Sequence, residues 1–257
     1  MDFQGKLSVV TGAGSGIGES VSIKLANEGS TVILVGRTEN KLRLVADKIN
    51  SEHPNQAEVF VGDVTNENEV SSLKEYIEKN HRNLHVIINN AGGTKQTKIR
   101  DISVEEWDNI IDLNLKSTFI VSKILGGLMM TFAREEKIKM DRSIVNVASL
   151  SAHKAGAHFP HYSASKAAVV NFTKALANEY AATGIRVNSV SPGFVETPLI
   201  IEGLQNPRFI EAIKRHTALQ RPARPEEIAN VINFIASDKA SYMTGSDVLV
   251  DGGWLIT

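Results

Sequence analysis

The sequence predicts an α/β fold: three layers, doubly wound around about seven parallel strands, in a single domain. Three observations predict it. Short β-branched runs alternate with longer helical patterns along the chain. Several of those runs are almost continuously apolar, as strands covered on both faces must be. The alternation continues to residue 250 without a linker or a low-complexity break, so residues 1–257 read as one domain.

Taken in order, strands are predicted at 7–11, 31–35, 57–61, 84–88, 143–147, 186–190 and 247–250. Helical periodicity fills the gaps at 17–28, 39–50, 67–79, 104–132, 162–182 and 225–236. Strand–helix–strand repetition implies parallel pairing through right-handed crossovers. The stretch 192–217 carries no clear strand and reads as a lid over a substrate. Residues 117–133 are apolar apart from Lys123 and a few hydroxyls. A membrane span needs roughly 20 apolar residues. This shorter, interrupted run reads as a buried or interface helix, and no membrane insertion is expected.

Composition narrows the function classes. Hydrophobic residues at 42% and charged residues at 22% suit a soluble protein with a large core. A formal charge of −1 gives no global field to gather nucleic acid, so none is expected as a partner. Cysteine is absent, which excludes disulfides, a thiolate nucleophile and cysteine-ligated metal. The chain start lacks a basic segment leading into a long apolar run, and a cytoplasmic location is expected.

The first strand runs into Thr11-Gly12-Ala13-Gly14-Ser15-Gly16-Ile17-Gly18, and a helix follows at once. Glycines let backbone approach a pyrophosphate, and the helix start offers free N–H groups and a positive dipole end. The spacing is TGxxxGxG rather than GxGxxG. A glycine-rich turn is common by itself; between a first strand and a helix it points to a dinucleotide. After the second strand, an acid would grip the adenosine ribose hydroxyls of NAD. Gly36 stands there instead, followed by Arg37 and Thr38. A guanidinium fork and a hydroxyl suit a 2′-phosphate, so NADP(H) is the expected cofactor, ahead of NAD(H). The plainer reading leaves Arg37 as a solvated surface residue.

From about Gly5 to Gly253 the chain resembles the short-chain dehydrogenase/reductase family, in its shorter branch with a single Rossmann domain. Several motifs carry the likeness in order: the glycine turn, Asp63-Val64, Asn89-Asn90-Ala91-Gly92, Asn114, Ser149, Tyr162-Ser163-Ala164-Ser165-Lys166 and Ser191-Pro192-Gly193. The resemblance implies an adenine site at Asp63 and Val64, and a ribose wall at Asn90, Ala91 and Gly92. It places Ile17 beside the nicotinamide, with Val195 and Thr197 on the carboxamide. Lys166 would hold the nicotinamide ribose. It implies a small-molecule carbonyl or alcohol substrate and a homotetramer or homodimer, with helices 117–133 and 162–182 pairing between subunits and Asp251-Gly252-Gly253 at a tetramer contact.

Tyr162 and Lys166 stand four residues apart on a helical pattern, so they share one face. A phenol ionises near 10, too high to serve as an acid at neutrality. An ammonium at about 4 Å is worth roughly 1–4 kcal/mol, or about one to three pKa units. Tyr162 could then give a proton to a carbonyl oxygen or take one from an alcohol. Ser149 precedes it by 13 residues, the separation the family shows, and would orient the substrate oxygen; by itself it could equally be a capping serine. Asn114 would hold a water linking Lys166 to solvent. His153, His158 and His161 flank this region and read as loop and rim residues, with no metal expected. The candidate substrate wall (Thr94, Lys95, Leu150, Ala152, His153, Phe159, Phe194, Leu199, Ile200, Ile201) is mostly apolar and favours a lipid- or steroid-like or 3-oxoacyl ketone. A non-catalytic NADP(H) sensor is the alternative, and the complete Asn–Ser–Tyr–Lys set argues against it.

Overall fold

The computed structural model describes residues 2–135, 141–156 and 158–257. Its strands are β1 (Leu7–Thr11), β2 (Thr31–Gly36), β3 (Ala57–Val61), β4 (Val86–Asn89), β5 (Arg142–Val147), β6 (Ile185–Pro192) and β7 (Asp247–Val250). They form one sheet in the order β3-β2-β1-β4-β5-β6-β7, every pair parallel. All seven were expected. β6 reaches further than predicted, because Ser191 and Pro192 still register against Leu249 and Val250 of β7. Proline is tolerated at that strand end, where no ladder N–H is needed.

The described residues include eight α-helices: α1 (Gly16–Asn27), α2 (Glu39–Glu52), α3 (Glu67–Asn80), α4 (Val104–Ile111), α5 (Ser117–Glu135), α6 (Pro160–Tyr180), α7 (Pro207–His216) and α8 (Pro225–Ala236). Successive strand residues point to opposite faces, which makes two cores. Val10, Leu34 and Ile88 pack with Leu25 of α1, Leu42 of α2 and Ile232 of α8. Val9, Ile33 and Ile87 pack on the other face with Leu73 of α3, Leu125 of α5 and Leu176 of α6. Buried on both sides, these strands need the near-continuous apolar runs seen in the sequence.

The single helix expected at 104–132 is interrupted. A π-helical turn, Asp112–Lys116, joins α4 to α5. The combined helix Val104–Glu135 is long and apolar enough to cross a membrane by length and composition, and 50% of that window is buried within the fold. Chain order reverses between β1 and β4, which sit side by side at the centre. Ligands of open α/β sheets bind beyond the strand ends at that point.

Candidate active site

At the carboxyl edge of the sheet, β1 passes through the glycine turn into α1. Gly16 has a φ of +58°, and a Cβ there would lie 3.0 Å from the Thr197 methyl. Gly18 is more constrained: a Cβ would come within 2.3 Å of the Gly12 carbonyl oxygen and 2.5 Å of Asn90 Nδ2. Gly18 therefore packs beneath the turn rather than lining the ligand space expected of it. Asn90 locks the same turn from β4, donating through Nδ2 to the Thr11 and Gly12 carbonyls. Ser15 precedes α1 and its side chain makes no capping hydrogen bond. The first-turn N–H groups are thus left for an anion, as a diphosphate requires.

A cavity of about 480 Å³ opens beside this turn. Gly12, Ser15, Gly16 and Ile17 form one end, and Asn90, Ala91 and Gly92 the next. Pro192, Gly193, Val195 and Thr197 close it from β6 and the segment that follows it. Asn114, Ser149, Tyr162 and Lys166 line the same space. A second cavity of about 210 Å³ holds Arg37, Thr38, Asp63 and Val64 and shares Gly12, Ser15, Ala91 and Gly92 with the first. The sequence reading placed every one of these residues at the site. It missed Lys41, which lines the second cavity from the first turn of α2. The signal was available: Lys41 stands three residues after Thr38 at a helix start.

At the smaller cavity two opposite charges face each other. Arg37 Nη1 lies 3.8 Å from Asp63 Oδ2, with the arginine side chain 67% exposed. Asp63 Oδ1 accepts hydrogen bonds from the Thr65 N–H and hydroxyl at 2.9 and 2.8 Å. Burial opposes its ionisation, but the Thr65 bonds and the Arg37 charge prevail and hold the carboxyl below its usual range. Asp63 remains an acceptor.

At the reacting end, α6 carries Tyr162 and Lys166 into the large cavity. Lys166 is buried, and its Nζ donates to the Val147 carbonyl at 2.7 Å. That Nζ lies 5.7 Å from the Tyr162 ring centre. The ammonium was expected to lower the phenol; burial instead raises it, opposed only by a hydrogen bond with Ser149. Lys166 Nζ is directed at the Val147 carbonyl, and burial pulls the ammonium itself down to about 8. Ser149 Oγ accepts from the Ser151 N–H at 3.1 Å, capping a short 3₁₀ turn, and the residue also lines the cavity beside Tyr162.

Asn114 sits on the π turn, fully buried. Its Nδ2 donates to the Gly93 and Ile110 carbonyls, and its Oδ1 accepts from the Gly93 N–H. A Cβ on Gly92 would lie 2.7 Å from Asn114 Oδ1 and 3.4 Å from Lys166 Nζ, so the three groups are neighbours. Of the expected substrate wall, Leu199 and Ile200 line the cavity, joined by Val147, Ala148 and Pro198; the remaining eight candidates do not. The three histidines are dispersed. His153 Nε2 is 2.7 Å from Asp247 Oδ2, His158 is exposed, and His161 is fully buried rather than on a rim.

A family model described as enoyl-(acyl carrier protein) reductase matches residues 12–255. The chain is 35% identical to the 3-oxoacyl-[acyl-carrier-protein] reductase of Thermotoga maritima, covering 100% of both chains. A putative NAD(P)-dependent gluconate 5-dehydrogenase from Beutenbergia cavernae, solved with NADP, superposes with a TM-score of 0.91 at 33% identity, covering 99% of this chain and 98% of that one. The L-sorbose reductase of Gluconobacter frateurii, solved with NADPH and L-sorbose, gives 0.91 at 29% identity over 100% of both chains.

Proposed function

Given that the chain belongs to the short-chain dehydrogenase/reductase family, oxidoreductases that act on C=O and CH–OH groups, we propose that it uses NADP(H) and reduces an apolar ketone with Tyr162 as the proton donor. One observation carries this reading. Asn114, Ser149, Tyr162 and Lys166 converge on the cavity that the glycine turn, Val195 and Thr197 also line.

The residues fit the cofactor. The uncapped start of α1 suits its diphosphate, and Arg37 and Lys41 suit a 2′-phosphate in the adjoining cavity. Asp63 and Val64 would take the adenine, Asn90 to Gly92 the ribose, and Ile17, Val195 and Thr197 the nicotinamide. When bound, the nicotinamide supplies the two-electron redox chemistry. The chain manages the proton. In the reducing direction, the Tyr162 hydroxyl delivers it to the substrate oxygen while the Ser149 hydroxyl donates a hydrogen bond to that oxygen and orients it. Lys166 and Asn114 stand behind the phenol to restore its proton.

Val147, Ala148, Pro198, Leu199 and Ile200 give the substrate side its apolar character, which supports a lipid-like or 3-oxoacyl ketone. Residues 1–257 are read as one domain with a lid at about 192–217, working in the cytoplasm as a homotetramer or homodimer. Support for assembly through α5 and α6 is the edge-to-face pair Phe119–Phe172 across those helices, with Phe119 45% exposed. A panel of 3-oxoacyl thioesters, steroid ketones and ketoses, assayed with NADPH and NADH, tests the reading. NADPH should be preferred, and Arg37→Asp should lower that preference at least about tenfold by replacing a charge-assisted contact with repulsion. An unchanged NADPH/NADH ratio of kcat/KM would refute the phosphate assignment.

A further inference from the structure

Immediately before Tyr162, α6 buries an imidazole that this chemistry does not use. His161 is 0% exposed, and neither ring nitrogen has a hydrogen-bond partner among the described residues. Its surroundings come from α4. His161 Nε2 lies 3.4 Å from Glu106 Oε1, and the Trp107 ring stacks on the imidazole with centres 6.4 Å apart and planes at 27°. Glu106 Oε1 also lacks a hydrogen bond, while Oε2 accepts one from Lys95 Nζ at 2.5 Å. The strip that carries Lys95 leads directly from Gly93 at the cavity wall, and its Thr97 N–H donates to the His158 carbonyl at 2.7 Å.

Three segments therefore meet around the buried His161: the strip 94–97, α4 and the first turn of α6. A buried imidazole or carboxylate without a partner is unfavourable, so close apposition of the two is not a packing accident. The hydrogen bond from Lys95 holds Glu106 below the usual carboxylate range against burial. The carboxylate is charged at neutrality and rests against the residue before Tyr162. We infer that Glu106 and His161 are positioning residues, whose contact docks the first turn of α6 onto α4 and the 94–97 strip and thereby sets where the Tyr162 hydroxyl stands. The inference rests on the reading of Tyr162 as proton donor for its effect on turnover, and not for the contact itself.

The test is the ionisation of Tyr162, followed by ultraviolet difference absorbance in rapid pH jumps. Each protein is referenced to its own Tyr162→Phe counterpart, which cancels the other members of the set of 4 tyrosines. Burial raises this phenol in the folded protein, so a first turn released from α4 admits water and lets the midpoint fall toward the ordinary value. His161→Leu and Glu106→Gln should each lower the midpoint by about half a unit or more. The double variant should add nothing further, because the two act as one contact. His161→Gln, which keeps a donor toward Glu106, should restore the midpoint. Turnover should fall about tenfold in the Leu variant with NADPH affinity unchanged. An unmoved midpoint in His161→Leu overturns the inference, as do summed shifts in the double variant. If His161→Leu does not fold, an unmoved midpoint in Glu106→Gln overturns it instead. Should Tyr162→Phe itself keep turnover, the proton donor is misassigned, while the titration still decides the contact.

Discussion

Lys166 shows how far a residue's role can be read from its position. The four-residue spacing to Tyr162 was enough to put both on one helix face, and the structure places both in the cavity. Their electrostatics were not legible, because burial and the Val147 acceptor come from β5 and the surrounding layers rather than from the motif. Those surroundings yield a pH prediction. Burial lowers Lys166 from 10.5 to about 8, so its ammonium is intact below that value and lost as pH rises through it. Carbonyl reduction should therefore hold at low pH and decline above about 8. Lys166→Arg keeps its charge far beyond this range. The variant, slower in absolute terms, should lose that alkaline decline in a kcat–pH profile. The same decline in wild type and variant would detach the pH response from Lys166.

Among the elements, the turn into α1 is where sequence and structure agree most closely, and its glycines do different work. Gly16 admits the Thr197 side chain at the cavity wall, whereas Gly18 lets the turn close on itself. Gly18→Ala would press a methyl to 2.3 Å from the Gly12 carbonyl oxygen, which is backbone, and to 2.5 Å from Asn90 Nδ2. Overpacking of this kind costs typically about 1–3 kcal/mol. NADPH affinity should drop at least about tenfold, read by nucleotide fluorescence, together with a lower melting temperature. Unchanged affinity would mean that the turn is not the diphosphate cradle. The π turn at Asp112–Lys116 was not legible. It adds no break in the apolar pattern, and proline and glycine are absent from it, so nothing in the residues marks the extra winding. Its consequence is visible only in three dimensions, where Asn114 reaches both Gly93 backbone groups. Extra turns of this type recur at functional sites.

For the whole molecule, the sheet was legible because doubly covered strands must be apolar and their helices amphipathic, as β1, β2 and β4 illustrate. The substrate side was not. Lys95 turns to Glu106, His153 to Asp247, and Phe194 packs at a tilt against Trp254 with ring centres 4.7 Å apart, each drawn off the cavity by a partner on another element. What the fold as a whole achieves is to bring two adjoining cavities, one with a cationic end and one with a phenol, to the sheet's central reversal. The most direct test of that arrangement is to measure NADPH binding and ketone turnover side by side in wild type and Tyr162→Phe. Removal of one hydroxyl should leave the dissociation constant within about twofold and cut kcat by about 10²–10⁴, the usual worth of a positioned acid. Retained turnover at full NADPH affinity would contradict the account.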